Sequence, residues 1–203
     1  MKNKLFFFVL ISVSVFSRFA WAELQPAQKA VETFVQNIKS MEFPAKDAAK
    51  NQELIKSTDN LLDLEAMGRK ALGDHWDKAS ADERKNFTDL LWKLIENVAY
   101  PNSLKFMGQY QITYPEVKAA GEGFDVSSVV KQEEQALDAS IVYHVYQKDG
   151  QWKIDDVQLD GVSITEDLKY QFDKLIEKSQ FAGLLAKMQE RLAKAQKENG
   201  VPV

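Results

Sequence analysis

The stretch Leu62-Asp63-Leu64-Glu65-Ala66-Met67-Gly68-Arg69-Lys70-Ala71-Leu72-Gly73-Asp74-His75-Trp76 decides how the first half of this chain folds. Asp63 is placed to cap a helix whose Leu64, Met67, Ala71 and Leu72 share one side, and Gly73 supplies the left-handed backbone that ends it. Shortly after, Ser80-Ala81-Asp82-Glu83 has the form of a capping box: the serine accepts from the third helical N–H and the glutamate reaches back to the cap N–H. Phe87, Leu90, Leu91, Leu94, Ile95 and Val98 then recur at helical spacing and paint one face. Such a helix offers a long apolar wall and no catalytic side chain.

Upstream, Pro26 predicts the first turn of a helix that reaches Ser40, with Val31, Phe34, Val35 and Ile38 on its inner face. Pro44 breaks the chain, and a short helix follows over about 45–57. At the extreme N-terminus, Lys2 and Lys4 precede an apolar run over 5–16 that is too short to span a bilayer comfortably. Ala20-Trp21-Ala22 fits a small-x-small cleavage site, so residues 1–22 read as a signal peptide cleaved after Ala22. The expected location is a periplasm-like space. The chain has no cysteine, which excludes disulfides and a thioether-linked lipid anchor.

The remainder reads as a single domain over 23–192 followed by a polar tail over 193–203, expected to fray. The formal net charge is −4, and loss of Lys2, Lys4 and Arg18 with the signal makes it more acidic. An acidic chain is a poor partner for nucleic acid and for an anionic lipid surface. Any dealing with lipid must therefore go through a pocket or a protein partner.

Past Pro101 the period drops from helical to two. Tyr110, Ile112 and Tyr114 alternate with polar residues, as do Phe124, Val126, Ser128 and Val130, and then Ile141, Tyr143 and Val145. Lys148-Asp149-Gly150-Gln151 carries the Asp-Gly signal of a tight hairpin, and Trp152, Ile154 and the run to Leu159 form a fourth strand. Ser163-Ile164-Thr165-Glu166 is a second capping box, opening a helix striped by Ile164, Leu168, Phe172 and Ile176. A final helix carries Phe181, Leu184, Leu185, Met188 and Leu192. Helices, then four antiparallel strands, then helices give an α+β domain.

Catalytic machinery is scarce. His75 and His144 have no metal-ligand spacing, and there is no nucleophile elbow or phosphate-cradling glycine loop. His144 alternates with Ile141, Tyr143 and Val145 and faces away from them, while His75 follows a helix end, either as a C-terminal cation or as a rim residue. Asp155, Asp156 and Asp160 lie where a strand hands over to a capped helix, so negative charge there serves the helix N-terminus. Trp76, Trp92 and Trp152, with many aliphatic residues, point instead to an apolar interior between bent sheet and helices.

The segment 62–87, with Trp152-Lys153-Ile154-Asp155-Asp156-Val157-Gln158-Leu159-Asp160-Gly161-Val162-Ser163 and the helical stretch 170–192, resembles the MlaC/toluene-tolerance family of periplasmic phospholipid-binding proteins. The resemblance spans about 26–192. It implies an NTF2-like cone whose apolar cavity takes the acyl chains of a phospholipid and leaves the head group outside. It also implies a monomeric shuttle, without cofactor, between an outer-membrane lipoprotein–porin complex and an inner-membrane ABC transporter with an MCE-domain subunit, preserving outer-membrane lipid asymmetry. Periodicity and the family's cavity together place Leu64, Met67, Leu72, Leu91, Ile95 and Val98 on the helical wall of the pocket. Tyr110, Ile112, Val126, Ile141, Tyr143, Val145 and Trp152 line its sheet side. The chain departs from the family at Pro101 and in the charged β-connection at Lys131, Glu133 and Glu134. Two alternatives stand beside this reading: a cone-shaped enzyme acting on a small apolar substrate with Asp156 or Asp160 as base, and an interaction module with a fully packed core.

Overall fold

The computed structural model describes residues 16–131 and 138–198, with side chains from residue 24 onward. The expected signal peptide lies mostly outside the described residues, as do Glu133 and Glu134 of the charged connection. Among the described residues, six α-helices precede the sheet and one follows it: α1 (Phe16–Ser40), α2 (Ala48–Asp59), α3 (Leu64–Leu72), α4 (Asp74–Lys78), α5 (Ala81–Leu94), α6 (Tyr100–Met107) and α7 (Ile164–Glu198). The sheet is an antiparallel meander in sequence order: β1 (Gln111–Ala120), β2 (Gly123–Lys131), β3 (Ala139–Lys148), β4 (Gln151–Leu159) and the two-residue β5 (Val162–Ser163). The sequence predicts four strands. The fifth is made by the Leu159–Val162 reversal, where Asp160 (φ 48°) and Gly161 (φ 83°) take the paired positive-φ conformation of a tight hairpin turn. Asp149 (φ 52°) and Gly150 (φ 74°) do the same at the predicted hairpin.

The caps of α3 and α5 form as expected. Asp63 Oδ1 accepts from Ala66 N at 3.0 Å, and Gly73 closes α3 with φ 50°. Ser80 and Glu83 complete both halves of their box, at 3.2 and 2.9 Å. At the second box, Ser163 Oγ accepts from Glu166 N at 3.1 Å but gives its own proton to Asp156 Oδ2 at 2.6 Å. Asp156 Oδ1 also receives Thr165 N at 3.2 Å, so the strand carboxylate joins the serine in capping α7.

Four boundaries differ from the sequence reading. Pro26 lies inside α1 rather than in its first turn, since the helix is already under way at Phe16. The second helix starts at Ala48, where the Asp47 carboxylate accepts from Lys50 N. Pro101 does not end the helical half. A π-helical turn over Ile95–Ala99 precedes it, and α6 continues to Met107. Proline has no N–H to give and its ring clashes with the carbonyl four residues back in a regular helix; the wider turn accommodates both. Lastly, the expected tail is helical through Glu198, with Ala195 buried. α7 bends at Gln180 (φ 60°, ψ −179°), which separates the two predicted C-terminal helices.

Two apolar clusters result. In the first, α1 lays Val31, Phe34, Val35 and Ile38 against Val126, Val130, Ile141, Tyr143, Val145 and Ile154 of the sheet, with Tyr100 and Met107 completing it from the α6 side. In the second, Leu72, Trp76, Phe87, Leu90 and Leu91 pack against Phe172, Leu184, Met188 and Leu192 of α7. Phe87 and Phe172 meet edge to face at 5.6 Å. Ile95 touches both clusters.

Candidate functional site: the apolar interior between α1 and the sheet

Alternation sets the sheet's inner face. Val126, Val130, Ile141, Tyr143, Val145 and Ile154 are at most 5% exposed, and the intervening residues point outward. Phe34 of α1 is wedged between two rings, 6.0 Å from Tyr143 and 6.4 Å from Tyr100, both edge to face. Ser128 is the polar side chain on this face, and its hydroxyl is spent on the Ile141 carbonyl at 3.2 Å. Burial, reinforced by Tyr114, pushes the Tyr143 hydroxyl well above the usual phenol range, and burial with Glu32 pushes Tyr114 to about 12. Both phenols stay neutral. This interior is apolar, lacks a fixed charge among the described residues, and is closed over by its own side chains.

The predicted pocket residues divide between the clusters. Val126, Ile141, Tyr143 and Val145 are buried in the first, with Leu64, Met67, Tyr110, Ile112 and Trp152 packed partly buried against it. Tyr110 stands just before β1 rather than in it. Ile95 bridges the two clusters, whereas Leu72 and Leu91 lie in the second, against α7. Val98 is half-buried on the π turn and belongs to neither cluster among the described residues. Residues not assigned to the pocket from sequence include Phe34, Tyr100, Tyr114, Val130 and Ile154. The α1 stripe and the period-two pattern contain most of them. Tyr100 was hidden by reading Pro101 as a helix end.

The polar groups sit outside the interior. His144 Nδ1 bonds Asp155 Oδ1 at 2.5 Å and its Nε2 bonds the Ala120 carbonyl at 3.2 Å, while Lys70 Nζ approaches Asp155 Oδ2 at 2.7 Å. The Asp155 hydrogen bond, with a smaller contribution from Ala120, raises the His144 pKa against its burial. Burial opposes charge on Asp155, but His144 and Lys70 outweigh it and hold the carboxyl below its usual range. A ring with both nitrogens engaged is held in a structural role and is not a free base. A register shift at His144/Val145 explains why Asp155 and Asp156 are both buried beside each other: β4 carries one extra residue there. Asp156 is committed to the α7 cap, and Asp160 Oδ1 accepts from Ser140 N at 2.9 Å. Asp156 thus serves the helix cap with both oxygens, and Asp160 is exposed on the turn.

Among the clefts at the surface of the described residues, two bear on the site. One, of about 330 Å³, is polar and lies beside Asp63, Lys148 and Lys153. The other, of about 500 Å³, runs between α1 and β1, with Val35, Ile112 and Tyr114 in its floor and Lys29 and Lys39 among its rim.

The profile of the family described as MlaC protein matches residues 15–190. The chain is 27% identical over 192 residues to the intermembrane phospholipid transport system binding protein MlaC of Haemophilus influenzae, covering 90% of this chain and 89% of that protein. Its fold matches that of a phospholipid-binding protein from Ralstonia solanacearum, solved in complex with a phospholipid, with a TM-score of 0.70 at 20% identity over 85% of this chain and 98% of that one.

Proposed function

This chain belongs to the MlaC protein family, and from that membership we propose that it is a periplasmic phospholipid carrier. The acyl chains occupy the interior between α1 and the sheet, parting Phe34 from Tyr143 and Tyr100, and the head group stays outside. The second cluster, with Leu72 and Leu91, is the rigid support. The chain works as a monomer without metal or organic cofactor, after removal of residues 1–22. It passes lipid between an outer-membrane lipoprotein–porin complex and an inner-membrane ABC transporter with an MCE-domain subunit, which preserves outer-membrane lipid asymmetry. The observation that carries this reading is the inner face of the sheet. Its buried positions are apolar apart from Ser128, and His144, Asp155 and Asp156 are engaged in bonds outside it. The family is one of lipid-binding transport proteins rather than enzymes.

Magnitudes fit a carrier. Removing about thirty methylenes from water at about 0.8 kcal/mol each gives about 24 kcal/mol, beyond the practical ceiling for non-covalent binding. Release into water is therefore negligible. Transfer between bilayer and protein exchanges one apolar medium for another, so direction comes from the partners. Native mass spectrometry of protein purified from the periplasm, with lipid extraction of the same sample, tests the reading. Stoichiometric phospholipid is expected; a reproducibly lipid-free protein would overturn it.

A further inference from the structure

The two edges of the sheet are held differently. At the β4 edge the chain pairs again: Leu62 bridges Ile154, with Asp63 N donating to the Ile154 carbonyl at 2.8 Å and Ile154 N to the Leu61 carbonyl at 2.7 Å. Side chains reinforce this edge, through Lys148 on Asp63 at 2.7 Å and Lys70 on Asp155 at 2.7 Å. At the opposite edge β1 pairs with β2 alone, and its register shifts between Thr113 and Glu116, around Pro115. A proline and a bulge both weaken a ladder. The hydrogen bond that crosses from α1 to this edge among the described residues is Lys39 Nζ to the Tyr110 carbonyl, at 2.8 Å. The α1–β1 cleft lies along this weakly held seam. Its floor of Val35, Ile112 and Tyr114 is continuous with the first apolar cluster.

We infer that the seam between α1 and β1 is the portal through which acyl chains enter, with the lipid phosphate resting on Lys29 and Lys39 at its rim. This rests on the carrier reading. The β4 side of the sheet is fastened to the Leu61–Asp63 segment and to α3, whereas β1 meets α1 across the Lys39–Tyr110 bond and an apolar floor, so the least costly opening runs along β1. Lys39 is the latch: its ammonium has three protons and gives one to Tyr110, leaving two for a phosphate oxygen. Lys29 stands 3.4 Å from Glu32, a loose and exposed pair that an anionic phosphodiester can replace. The ligand is a glycerophospholipid, since a bare phosphate has nothing to place on the apolar floor.

The absence of native cysteine makes a clean test. Gln36→Cys and Gln111→Cys, both lining the cleft, are joined by a short reducible bis-maleimide tether. The readout is uptake of fluorescent phosphatidylethanolamine from vesicles of phosphatidylethanolamine and phosphatidylglycerol. Tethering should reduce the uptake rate by about tenfold or more, and reduction of the tether should restore it. A control tether joins Asn60→Cys to Lys153→Cys across the closed edge, where Lys153 Nζ already reaches the Asn60 carbonyl, and should leave uptake unchanged. Unchanged uptake with a fully tethered seam overturns the portal while leaving the carrier intact. No uptake by the untethered protein overturns the carrier reading and the portal with it. Lys29→Glu with Lys39→Glu should lower the phospholipid retained on purification; equal retention would remove the head-group assignment.

Discussion

Lys148 and Asp63 stand 85 residues apart in the chain and 2.7 Å apart in the fold, where the same aspartate that caps α3 also anchors the end of β3. Tyr146 donates to the same Oδ2 at 2.5 Å. Burial opposes ionisation of Asp63, but the bonds from Lys148 and Tyr146 hold its carboxyl below the usual range. Asp63→Ala should cost about 2–4 kcal/mol, combining a lost cap with two stranded donors. Asp63→Asn keeps a capping oxygen and should cost less. Urea unfolding of both variants measures the difference. Because the folded pKa is depressed, this contribution is present above the unfolded carboxyl pKa and is lost as pH falls through the lower folded value.

Glu96, on the π turn, behaves in the opposite sense. Burial first, then the neighbouring Asp59 charge and hydrogen bond, push its pKa to about 7, with Trp92 and Lys93 opposing. Asp59 meanwhile accepts from Trp92 Nε1 at 2.8 Å and Tyr100 OH at 2.7 Å. A raised folded pKa gives stability that is full below the unfolded value and is lost as pH rises through about 7. Glu96→Gln should flatten that slope and raise stability at about pH 8 by about 1 kcal/mol, a figure discounted for solvent screening. Unfolding midpoints across this range, wild type against variant, supply the check.

His144 supplies a second slope. Its raised pKa means that the imidazolium pair with Asp155 is fully present below the unfolded histidine pKa and lost as pH rises through the folded value. His144→Ala should cost about 1–3 kcal/mol at slightly acid pH, and less under alkaline conditions. An equal loss at both would show that packing, not charge, is what the ring provides.

Gln180 holds a φ of 60° with ψ near 180°, a region that glycine alone enters without strain. Gln180→Gly should therefore stabilise the protein by about 1 kcal/mol, despite the entropy that glycine usually costs. Thermal melts of the two proteins decide this, and a lower midpoint for the variant would contradict it.

The faces of most elements were legible from sequence because burial imposes a period on the chain. Asp63, Ser80 and the Asp149-Gly150 turn were legible because each has a local reason to be where it is. What the period does not contain is which apolar face meets which. Leu72 and Leu91 sit on apolar stripes as read, yet their partners come from α7, about a hundred residues later. The π turn was missed because proline is locally a helix breaker, while Tyr100 and Met107, on either side of the next turns, are buried in the first cluster and hold the helix through Pro101 against it. The extra residue in β4 moves the residues after Asp155 to the opposite face, so that Asp156 pairs with His144 and Val157 with Tyr143, and a bulge leaves no mark in a strict alternation.

The division into two clusters makes the central claim measurable. A phospholipid carrying a diazirine at the end of an acyl chain is loaded, photolysed, and its adducts are mapped by peptide mass spectrometry. The account predicts labelling of the interior between α1 and the sheet, at Phe34, Tyr143, Val126 or Ile154. Adducts concentrated at Leu72, Phe87, Leu91 or Leu184 would place the chains in the second cluster and contradict it.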